Sequence, residues 1–427
     1  MLHGRGSSVP LVACRDCAAI QRLRPLATGR QECWQCGRVL ENRAGRSIDR
    51  ALACSLTVLL LLFPANLLPL MTVHLGPVTG STLLASGLVV AWSQGWPLVS
   101  IVLALEAIIL PFVRFGLLSI TLAALRCGRR DRWLGAAFRY CEVLDLWAMA
   151  DVLLIGAGIG YGRVASQVQV TIDAGGWCFV SVAVMTMVTR ASLERRDVWR
   201  CLGADSVTSP PHAVSCTGCD LLLPAHTVGR RCPRCLAVVR RRRPFAVSQC
   251  TALVIATAAL TPIAYGYPMS EFWKGNQPSA NSVLDGLLRL FQSGYWYFGV
   301  LIFFVSIVFP LTKIAALAWF VASIRRHSSW RLRLKTRLYR FIDETGRWST
   351  LDPFTVLVFA PMIQFGQLAH FDFMGGAAAF LATVVLSMIA ARQFDPRLLW
   401  DSAGTAVPAV SAGALHPTLV PSGSPRR

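Results

Sequence analysis

Eight of the 14 cysteines stand in Cys-x-x-Cys pairs, and these pairs fall into two sets far apart in the chain. Two such pairs can place four thiolates tetrahedrally around one ion, as in a closed structural zinc site. The pairs are 15 residues apart in the first set and 12 residues apart in the second. The predicted ligands of the two zinc ions are Cys14, Cys17, Cys33 and Cys36 for the first and Cys216, Cys219, Cys232 and Cys235 for the second.

Spacing alone leaves two alternatives open at these cysteines: iron in a rubredoxin-like site, or buried or reactive thiols without metal. No pair is followed by His, which excludes attached c-type haem. Because each cysteine module is too short to bury a large core, a bound metal would supply much of its folding free energy. The remaining cysteines are scattered and are interpreted as small apolar residues.

The composition indicates a chain that lies mostly within a bilayer. Of its 427 residues 54% are apolar and only 15% are charged, and the mean hydropathy is +0.51. The apolar residues occur in long runs, which favours membrane spans over one very large core. The eight predicted spans are Ala51–Thr72, Pro97–Leu125, Leu146–Gly162, Gly176–Thr189, Ala246–Tyr265, Trp296–Ile324, Pro353–Ala369 and Gly376–Ala391.

The basic residues predict the orientation of the spans. Much of the net charge of +20 comes from short clusters between apolar segments, such as Arg126–Arg132 and Arg325–Arg326. Clusters of this kind favour the cytosolic side, and their distribution argues against a nucleic-acid partner. No apolar segment precedes Arg50, so we expect no signal peptide. We therefore expect a multi-pass protein of the bacterial inner membrane, with both termini and both cysteine modules in the reducing cytosol.

The sequence also repeats itself at an offset of about 200 residues. Besides the cysteine sets, Pro111-x-x-Arg114 recurs as Pro310-x-x-Lys313, and Arg139 recurs as Arg340. Two copies of four spans keep one orientation and form a parallel repeat. The predicted fold is an all-α polytopic membrane protein with about eight transmembrane helices in two tandem four-helix repeats, each preceded by a small cytosolic zinc-ribbon-like module. The predicted boundaries are 1–46 and 201–244 for the modules, 47–200 and 245–400 for the transmembrane repeats, and 401–427 for a disordered tail.

A few ionisable residues lie within or beside the apolar segments, where a charge is costly and a functional role is the default expectation. They are Glu106, Arg114, Asp151, Lys313 and Asp352. Interfacial snorkelling is the alternative, and it suits Asp352 better than Lys313, which has apolar residues on both sides. We expect Lys313 and Asp352 to form a pair that proton uptake or release can switch. Arg114 and Asp151 should form a permanent ion pair, because arginine keeps its charge. A purely structural Lys313–Asp352 pair is the competing interpretation.

Recognisable catalytic motifs do not occur in the sequence. None of the three lysines follows a glycine, so there is no Walker A loop. Neither a nucleophile elbow, nor a His-Glu-x-x-His motif, nor the protein-kinase motifs are found. We therefore predict that the protein is not an enzyme.

Taken together, the motifs resemble the paraquat-inducible protein A family. The matching stretches are the doubled cysteine modules, Phe63–Pro69, Gly294 to Lys313, Trp348–Asp352, and Asp395–Arg397 with Trp400. The resemblance implies an inner-membrane component of an envelope lipid transport system. Such a component would work with a periplasmic MCE-domain protein to move lipids between the inner and outer membranes.

Two further expectations follow. The outer loop that carries Ser282, Asp285 and Arg289 is the expected contact segment for the MCE-domain partner, and the membrane lipids are the other expected partner. The alternative function is a membrane-bound redox or metal-responsive protein that uses its cysteine clusters as a sensor. Two intact four-cysteine sets favour closed metal sites over a sensor, which needs an exposed, reactive thiol.

Overall fold

The computed structural model of the chain describes residues 11–23, 29–42, 47–75, 78–148, 150–165, 169–203, 213–274, 277–292, 294, 296–346, 348 and 369–404. Most of them are helical. We call residues 11–42 module 1, 47–203 the first half, 213–243 module 2 and 245–404 the second half. The predicted tail lies outside the described residues from residue 405 onward.

Module 1 is built from short antiparallel strands, and the first half is built mainly from helices. The strands of module 1 are β1 (Leu11–Ala13), β2 (Ile20–Arg22), β3 (Arg30–Glu32) and β4 (Val39–Asn42). The first half consists of α1 (Ile48–Leu67), β5 (Met71–Leu75), β6 (Val78–Thr82), α2 (Ser86–Ser93), α3 (Pro97–Ala104), α4 (Leu110–Arg126), α5 (Arg132–Leu144), α6 (Ala150–Ala165), β7 (Gln169–Ile172), α7 (Ala174–Ser192) and α8 (Arg195–Cys201).

Module 2 and the second half follow a similar order of elements. Module 2 contains β8 (Val214–Ser215), β9 (Leu222–Leu223) and an isolated bridge between Arg231 and Val238. The second half consists of α9 (Ala246–Gly266), β10 (Ser270–Lys274), β11 (Gln277–Asn281), α10 (Val283–Gln292), α11 (Trp296–Ile302), α12 (Phe309–Arg325), α13 (Leu332–Thr345), β12 (Ala369–Phe373), α14 (Gly375–Gln393) and α15 (Arg397–Ser402).

Within the described residues, six helices are long and apolar enough to cross a bilayer. They are Ile48–Leu67, Pro97–Arg126, Ala174–Ser192, Ala246–Gly266, Gly299–Arg325 and Gly375–Gln393. These correspond to six of the eight segments predicted from hydropathy. The predicted segment Pro353–Ala369 lies outside the described residues, apart from its last residue.

The remaining predicted segment, Leu146–Gly162, is found as the shorter helix α6. Its 16 residues give a length of about 24 Å. Near its start, Asp151 accepts a hydrogen bond of 2.6 Å from Arg190, which lies in the last turn of α7. At its other end, α6 leads through β7 into the first residues of α7. The two helices are therefore antiparallel neighbours that run between the same two levels.

The two longest of these candidate spans, Pro97–Arg126 and Gly299–Arg325, each contain a π-helical turn that ends two residues before a proline. The turns are Leu105–Ile109, before Pro111, and Phe303–Val308, before Pro310. A proline inside a helix removes one N–H donor and displaces the carbonyl four residues earlier, which disturbs the regular helix at this point. In the second half this carbonyl belongs to Ser306, and the hydroxyl of Tyr265 donates a hydrogen bond to it.

Two antiparallel three-stranded sheets correct the all-α prediction. Their strand orders are β6-β5-β7 in the first half and β11-β10-β12 in the second. In the first sheet Met71 pairs with both Thr82 and Ile172, so β7 returns from a distant part of the chain. The hydropathy pattern does not reveal these strands. Strands of four or five residues show too little alternation to be distinguished from loops.

Candidate metal centres and intramembrane polar residues

Each of the four Cys-x-x-Cys pairs lies in a tight turn of one shape. The carbonyl of the first cysteine accepts a hydrogen bond from the N–H group four residues later, at 2.8 to 3.0 Å. The residue that donates this bond has a left-handed backbone, with φ between 58° and 69°. These residues are Ala18, Gly37, Asp220 and Leu236. A turn of this kind directs both sulfur atoms of a pair to the same side.

The turns bring the predicted ligands of each set together. In module 1 the Sγ atoms of Cys14 and Cys36 are 3.5 Å apart, and those of Cys17 and Cys33 are 3.6 Å apart. Module 2 repeats these distances, and within each set all four sulfur atoms lie within 4.8 Å of one another. Four thiolates bound to zinc at about 2.3 Å would be separated by about 3.8 Å, whereas a disulfide bond measures about 2.05 Å. The sulfur positions therefore fit a four-coordinate metal ion and not a disulfide.

All eight sulfur ligands are enclosed by protein. The cysteines of the two sets are at most 2% exposed to solvent. Mutual hydrogen bonds shift the pKa values of the thiols of each set in opposite directions: one from Cys17 lowers the pKa of the Cys14 thiol to about 6, whereas the pKa of Cys17 itself is raised. The thiolate is the form that binds a metal. Bound zinc would cross-link the two turns of each module, a structural role that leaves no open coordination position.

Module 1 has a strong contact among the described residues with the half that follows it, where Arg200 of α8 donates hydrogen bonds of 2.8 and 2.9 Å to the carboxylate of Glu41. The module packs against the second half, and its cysteines share a buried cluster with Cys250, Phe320 and Trp400. Arg333 and Arg340 of α13 donate hydrogen bonds to the carbonyls of Gln35 at 2.8 Å and Cys36 at 2.6 Å. Arg340 also forms an ion pair of 2.9 Å with the buried carboxylate of Asp16. The second half therefore contacts the backbone of the second Cys-x-x-Cys turn of module 1.

Module 2 docks on the first half in the corresponding way. Arg195 of α8 donates hydrogen bonds to the carbonyl of Gly218 at 2.9 Å and to the carboxylate of Asp220 at 2.7 Å. The guanidinium of Arg234 lies 5.4 Å from the ring of Trp199. The order along the chain is module 1, first half, module 2 and second half. Most contacts thus pair the modules and halves crosswise, although each module also forms an ion pair with the half that follows it, Glu41 with Arg200 and Arg242 with Asp401.

The close approach of α5 to module 2 predicts that Gly135 tolerates no side chain. A Cβ atom at Gly135 would lie 1.8 Å from the carbonyl oxygen of Arg234. We expect Gly135→Ala to lower the free energy of unfolding by about 3 kcal/mol, the upper end of the usual cost of overpacking. Thermal unfolding of the purified protein measures this effect. Gly116→Ala on α4 is the matched control, since its Cβ would meet nothing within 4 Å. Equal stability of Gly135→Ala and the unchanged protein would contradict this docking.

The two modules also contact each other. Arg15 of module 1 forms an ion pair of 2.6 Å with Asp220 of module 2. Arg397 of α15 donates hydrogen bonds to the carbonyl of Arg15 at 2.9 Å and to the hydroxyl of Ser215 at 3.1 Å. The sequence predicts no role for Arg15, and Arg397 is recognised in it only as part of the matching stretch Asp395–Arg397. The recurrence of Arg139 as Arg340 is a further signal, because both residues lie against a module.

The polar residues of the first half are paired differently from the prediction. Arg114 forms an ion pair with Asp145, not with Asp151. Arg190 binds both carboxylates, at 3.0 Å to Asp145 and 2.6 Å to Asp151. The prediction failed because Arg190, one residue beyond the predicted span Gly176–Thr189, lies in the last turn of α7 and reaches back towards the start of α6. Two arginines and two aspartates therefore form one fixed network.

Glu106 stands apart from this network. It lies on the π-helical turn of the first half and is only 2% exposed. Neither of its carboxylate oxygens has a hydrogen-bond partner among the described residues. It is thus not brought together with the other predicted polar residues of the spans.

Lys313 of the second half corresponds to Arg114 of the first half and is only 2% exposed. Its ammonium group donates hydrogen bonds to the hydroxyl of Ser387 at 3.1 Å and to the carbonyl of Gly346 at 3.5 Å. The predicted partner Asp352 lies outside the described residues. Arg114 forms an ion pair with Asp145. Lys313 is instead bonded to a hydroxyl and a carbonyl, and the carboxylate of Asp343 is near enough to attract its charge.

The predicted partner-contact residues lie at the start of α10. The hydroxyl of Ser282 donates to the carboxylate of Asp285 at 2.7 Å, and the N–H groups of both residues are bonded in return. This arrangement caps the first turn of the helix. The backbone of Arg289 continues the same helix, and Leu284, Leu288 and Phe291 expose apolar side chains on it. Ser282 and Asp285 therefore have a local structural role, whatever else they contact.

The sequence was compared with protein families and known proteins. The family model for Paraquat-inducible protein A matches twice, over residues 48–202 and 247–404. The Lipophilic envelope-spanning tunnel protein A of Escherichia coli K12 is 29% identical over 263 residues, which cover 61% of this chain and 61% of that protein. The Intermembrane transport protein PqiA of the same organism is 25% identical over 91% of this chain and 95% of its own length.

A Probable intermembrane transport protein of Haemophilus influenzae is 23% identical over the same shares of the two chains. No solved structure matches the sequence. The family match covers most of the chain and includes both halves. The chain belongs to the paraquat-inducible protein A family.

Proposed function

We propose that this protein is the inner-membrane component of a transport system that moves lipids between the inner and outer membranes, together with a periplasmic MCE-domain protein. Family membership across both halves carries this proposal. Relatives that align with more than nine-tenths of the chain are named as intermembrane transport proteins. The buried polar residues within the helices are candidates for a role in transport. Moving a lipid between membranes does not itself require a catalytic group.

A direct experiment follows newly made phospholipid from the inner to the outer membrane. Cells that lack this protein receive a pulse of radioactive glycerol, and the two membranes are then separated and counted. We expect transfer between the membranes to slow, and a plasmid copy of the gene to restore it. Unchanged transfer from the inner to the outer membrane would contradict the proposed function.

The proposed architecture has eight spans in two tandem four-helix repeats. Its support is the recurring order of helices, π-helical turns and three-stranded sheets, together with the double family match. Helix α6 counts as a span because it runs beside α7 between the same levels. The segment 353–369 would supply the corresponding span of the second half. In this arrangement both modules and both termini lie in the cytosol, and both sheets lie on the periplasmic side.

The orientation can be checked with single cysteines on opposite faces, in a background without other reactive thiols. A cysteine at Gln277, in the second sheet, should react with a membrane-impermeant thiol reagent in intact cells. One at Ser329, in the basic turn after α12, should react only after the cells are opened. The opposite pattern would invert the proposed topology.

We assign one zinc ion to each module, in a structural role. The enclosed cysteines support this assignment and argue against the alternative of a redox or metal sensor, which needs an accessible thiol. The docking gives the ions their function, since module 1 holds a surface of the second half and module 2 holds a surface of the first half. Elemental analysis should find two zinc ions per chain, and stoichiometric iron would overturn the choice of metal.

The MCE-domain protein is proposed to dock on the periplasmic surface that includes α10. A photo-crosslinking residue placed in turn at Ser282, Asp285 and Arg289 should capture this partner in cells. Replacing Ser282 or Asp285 also removes the cap of α10, so Arg289 is the position at which the probe disturbs the helix start least. The same probe at Trp330, near the opposite end of α12, is the control. A failure to crosslink from every outer loop would remove the proposed partner.

A further inference from the structure

Helix α13 carries an outward stripe of four residues that the transport proposal leaves unused. Trp330, just before the helix, is followed by Leu334, Arg337 and Phe341, at spacings of four, three and four residues. These spacings place the side chains on one face of a helix. The three apolar members are between 44% and 58% exposed. The opposite face, with Tyr339 and Ile342, is buried.

Ring contacts show how this stripe lies against the neighbouring span. The ring of Trp330 is 6.4 Å from that of Trp319, and the ring of Phe341 is 6.3 Å from that of Phe309. Trp319 and Phe309 both belong to α12 and are separated by about 15 Å along it. The stripe therefore runs along the outside of a helix that is long and apolar enough to cross a bilayer, beginning near its basic end. Its exposed apolar side chains flank this candidate span.

Arg337 places a positive charge in the middle of the stripe. It is exposed, and it forms no ion pair within the described part of the chain. Of the acidic residues nearby, Asp343 forms an ion pair of 3.9 Å with Arg392, and Glu344 also has an interaction partner. Further exposed charge lies at the end of the stripe that begins with Trp330, on Arg325, Arg326 and Arg331. A guanidinium group suits a phosphate through paired hydrogen bonds.

The first half provides an internal comparison. The recurrence of Arg139 as Arg340 aligns Trp133 with Leu334, Ala136 with Arg337, and Tyr140 with Phe341. Trp133 and Tyr140 are also exposed, at 50% and 55%. Helix α5 thus presents the same apolar stripe without its central charge.

We propose that α13 is a docking site for an anionic phospholipid of the adjacent leaflet. Arg337 holds the phosphate and headgroup, and Leu334 and Phe341 contact the acyl chains. Helix α5 contacts lipid through the same apolar positions and selects no headgroup. This assignment goes beyond transport and does not depend on it, because it concerns which lipid is held at the protein surface.

The test places a photo-crosslinking residue at Leu334, or at Trp133 for comparison, in the full-length protein. The protein is reconstituted in vesicles of phosphatidylethanolamine with a minor share of phosphatidylglycerol, and crosslinked lipids are identified by mass spectrometry. At position 334 we expect phosphatidylglycerol to exceed its share in the vesicle by about fivefold, the effect of one arginine near an anionic surface. At position 133 it should match its share.

Three variants complete the test. Arg337→Ala should reduce the product at position 334 to the vesicle share, and Ala136→Arg should create enrichment at position 133. Arg230→Ala, an exposed arginine of module 2, should change neither. The gain at position 133 keeps the test decisive if Arg337→Ala folds poorly. Proportional labelling at position 334 in the unchanged protein, no response to either stripe variant, or a protein product in place of lipid would overturn the proposal.

Discussion

Cys36→Ser should remove one of the two proposed zinc ions and weaken the second half, although the substitution lies before the first half in the sequence. Serine cannot supply the fourth thiolate, so the module loses the ion that folds it. The carbonyls of Gln35 and Cys36 then no longer meet Arg333 and Arg340. Hydrogen bonds from charged donors contribute about 1.5–3 kcal/mol each, so the loss of these two is a large effect.

Two native cysteines report on the two halves separately. Cys250 is completely buried in the cluster shared by module 1 and the second half, and Cys141 is buried in the first half. In the Cys36→Ser protein, Cys250 should react with a thiol reagent at least about tenfold faster, which corresponds to about 1.4 kcal/mol of easier opening. The rate at Cys141 should stay unchanged. Peptide mass spectrometry distinguishes these thiols from those released in the module.

Cys235→Ser is the matched variant, and it should give the reverse pattern. Module 2 docks on α5 and α8, so its loss should expose Cys141 and leave Cys250 protected. Elemental analysis should find one ion per chain in each variant. Equal acceleration at both cysteines, or faster reaction in the half that follows the altered module, would contradict the crosswise pairing.

The sequence predicted the features that depend on local spacing. The cysteine sets are assembled by turns of five residues, and six apolar segments were found as long helices because hydropathy is a property of a continuous stretch. The crosswise docking was beyond such reasoning. The contacts of module 1 with the second half join residues about 300 positions apart, such as Arg340 and Cys36. Arginines are abundant throughout the basic loops, so none of them was distinguished by its type.

The pairing of charges in the first half shows a second limit. Asp145 and Asp151 are six residues apart, and both precede or begin α6. Only the turn between α5 and α6 decides which carboxylate meets Arg114. Likewise, Arg190 directly follows the predicted span Gly176–Thr189 and so was not expected to pair within it. Its long side chain nevertheless reaches back to both aspartates. Hydropathy locates the end of a span but not the direction in which its terminal side chain points.

The difference between the two halves leads to the second large effect. In the first half, Arg114 and Arg190 share two carboxylates in a fixed network. In the second half, Lys313 contacts Ser387 and Gly346, and Asp352 is its proposed acidic partner. Lysine can release a proton, whereas arginine keeps its charge under all conditions relevant to a cell. We propose that the second half changes state during transport and that the first half is a scaffold.

Lys313→Ala and Asp352→Asn, tested separately, should each reduce lipid transfer to the level of cells without the protein, while the amount of folded protein stays the same. Lys313→Arg separates the proposed switch from a merely structural pair. Arginine can keep the charge and the contacts, so a structural role predicts normal transfer. A proton-dependent role predicts a folded but inactive protein. The control in the first half is Arg114→Lys, which preserves its ion pair with Asp145 and should support transfer. Full activity of Lys313→Arg, full complementation by both neutral variants, or disappearance of both from the membrane would refute the role of this pair in transport.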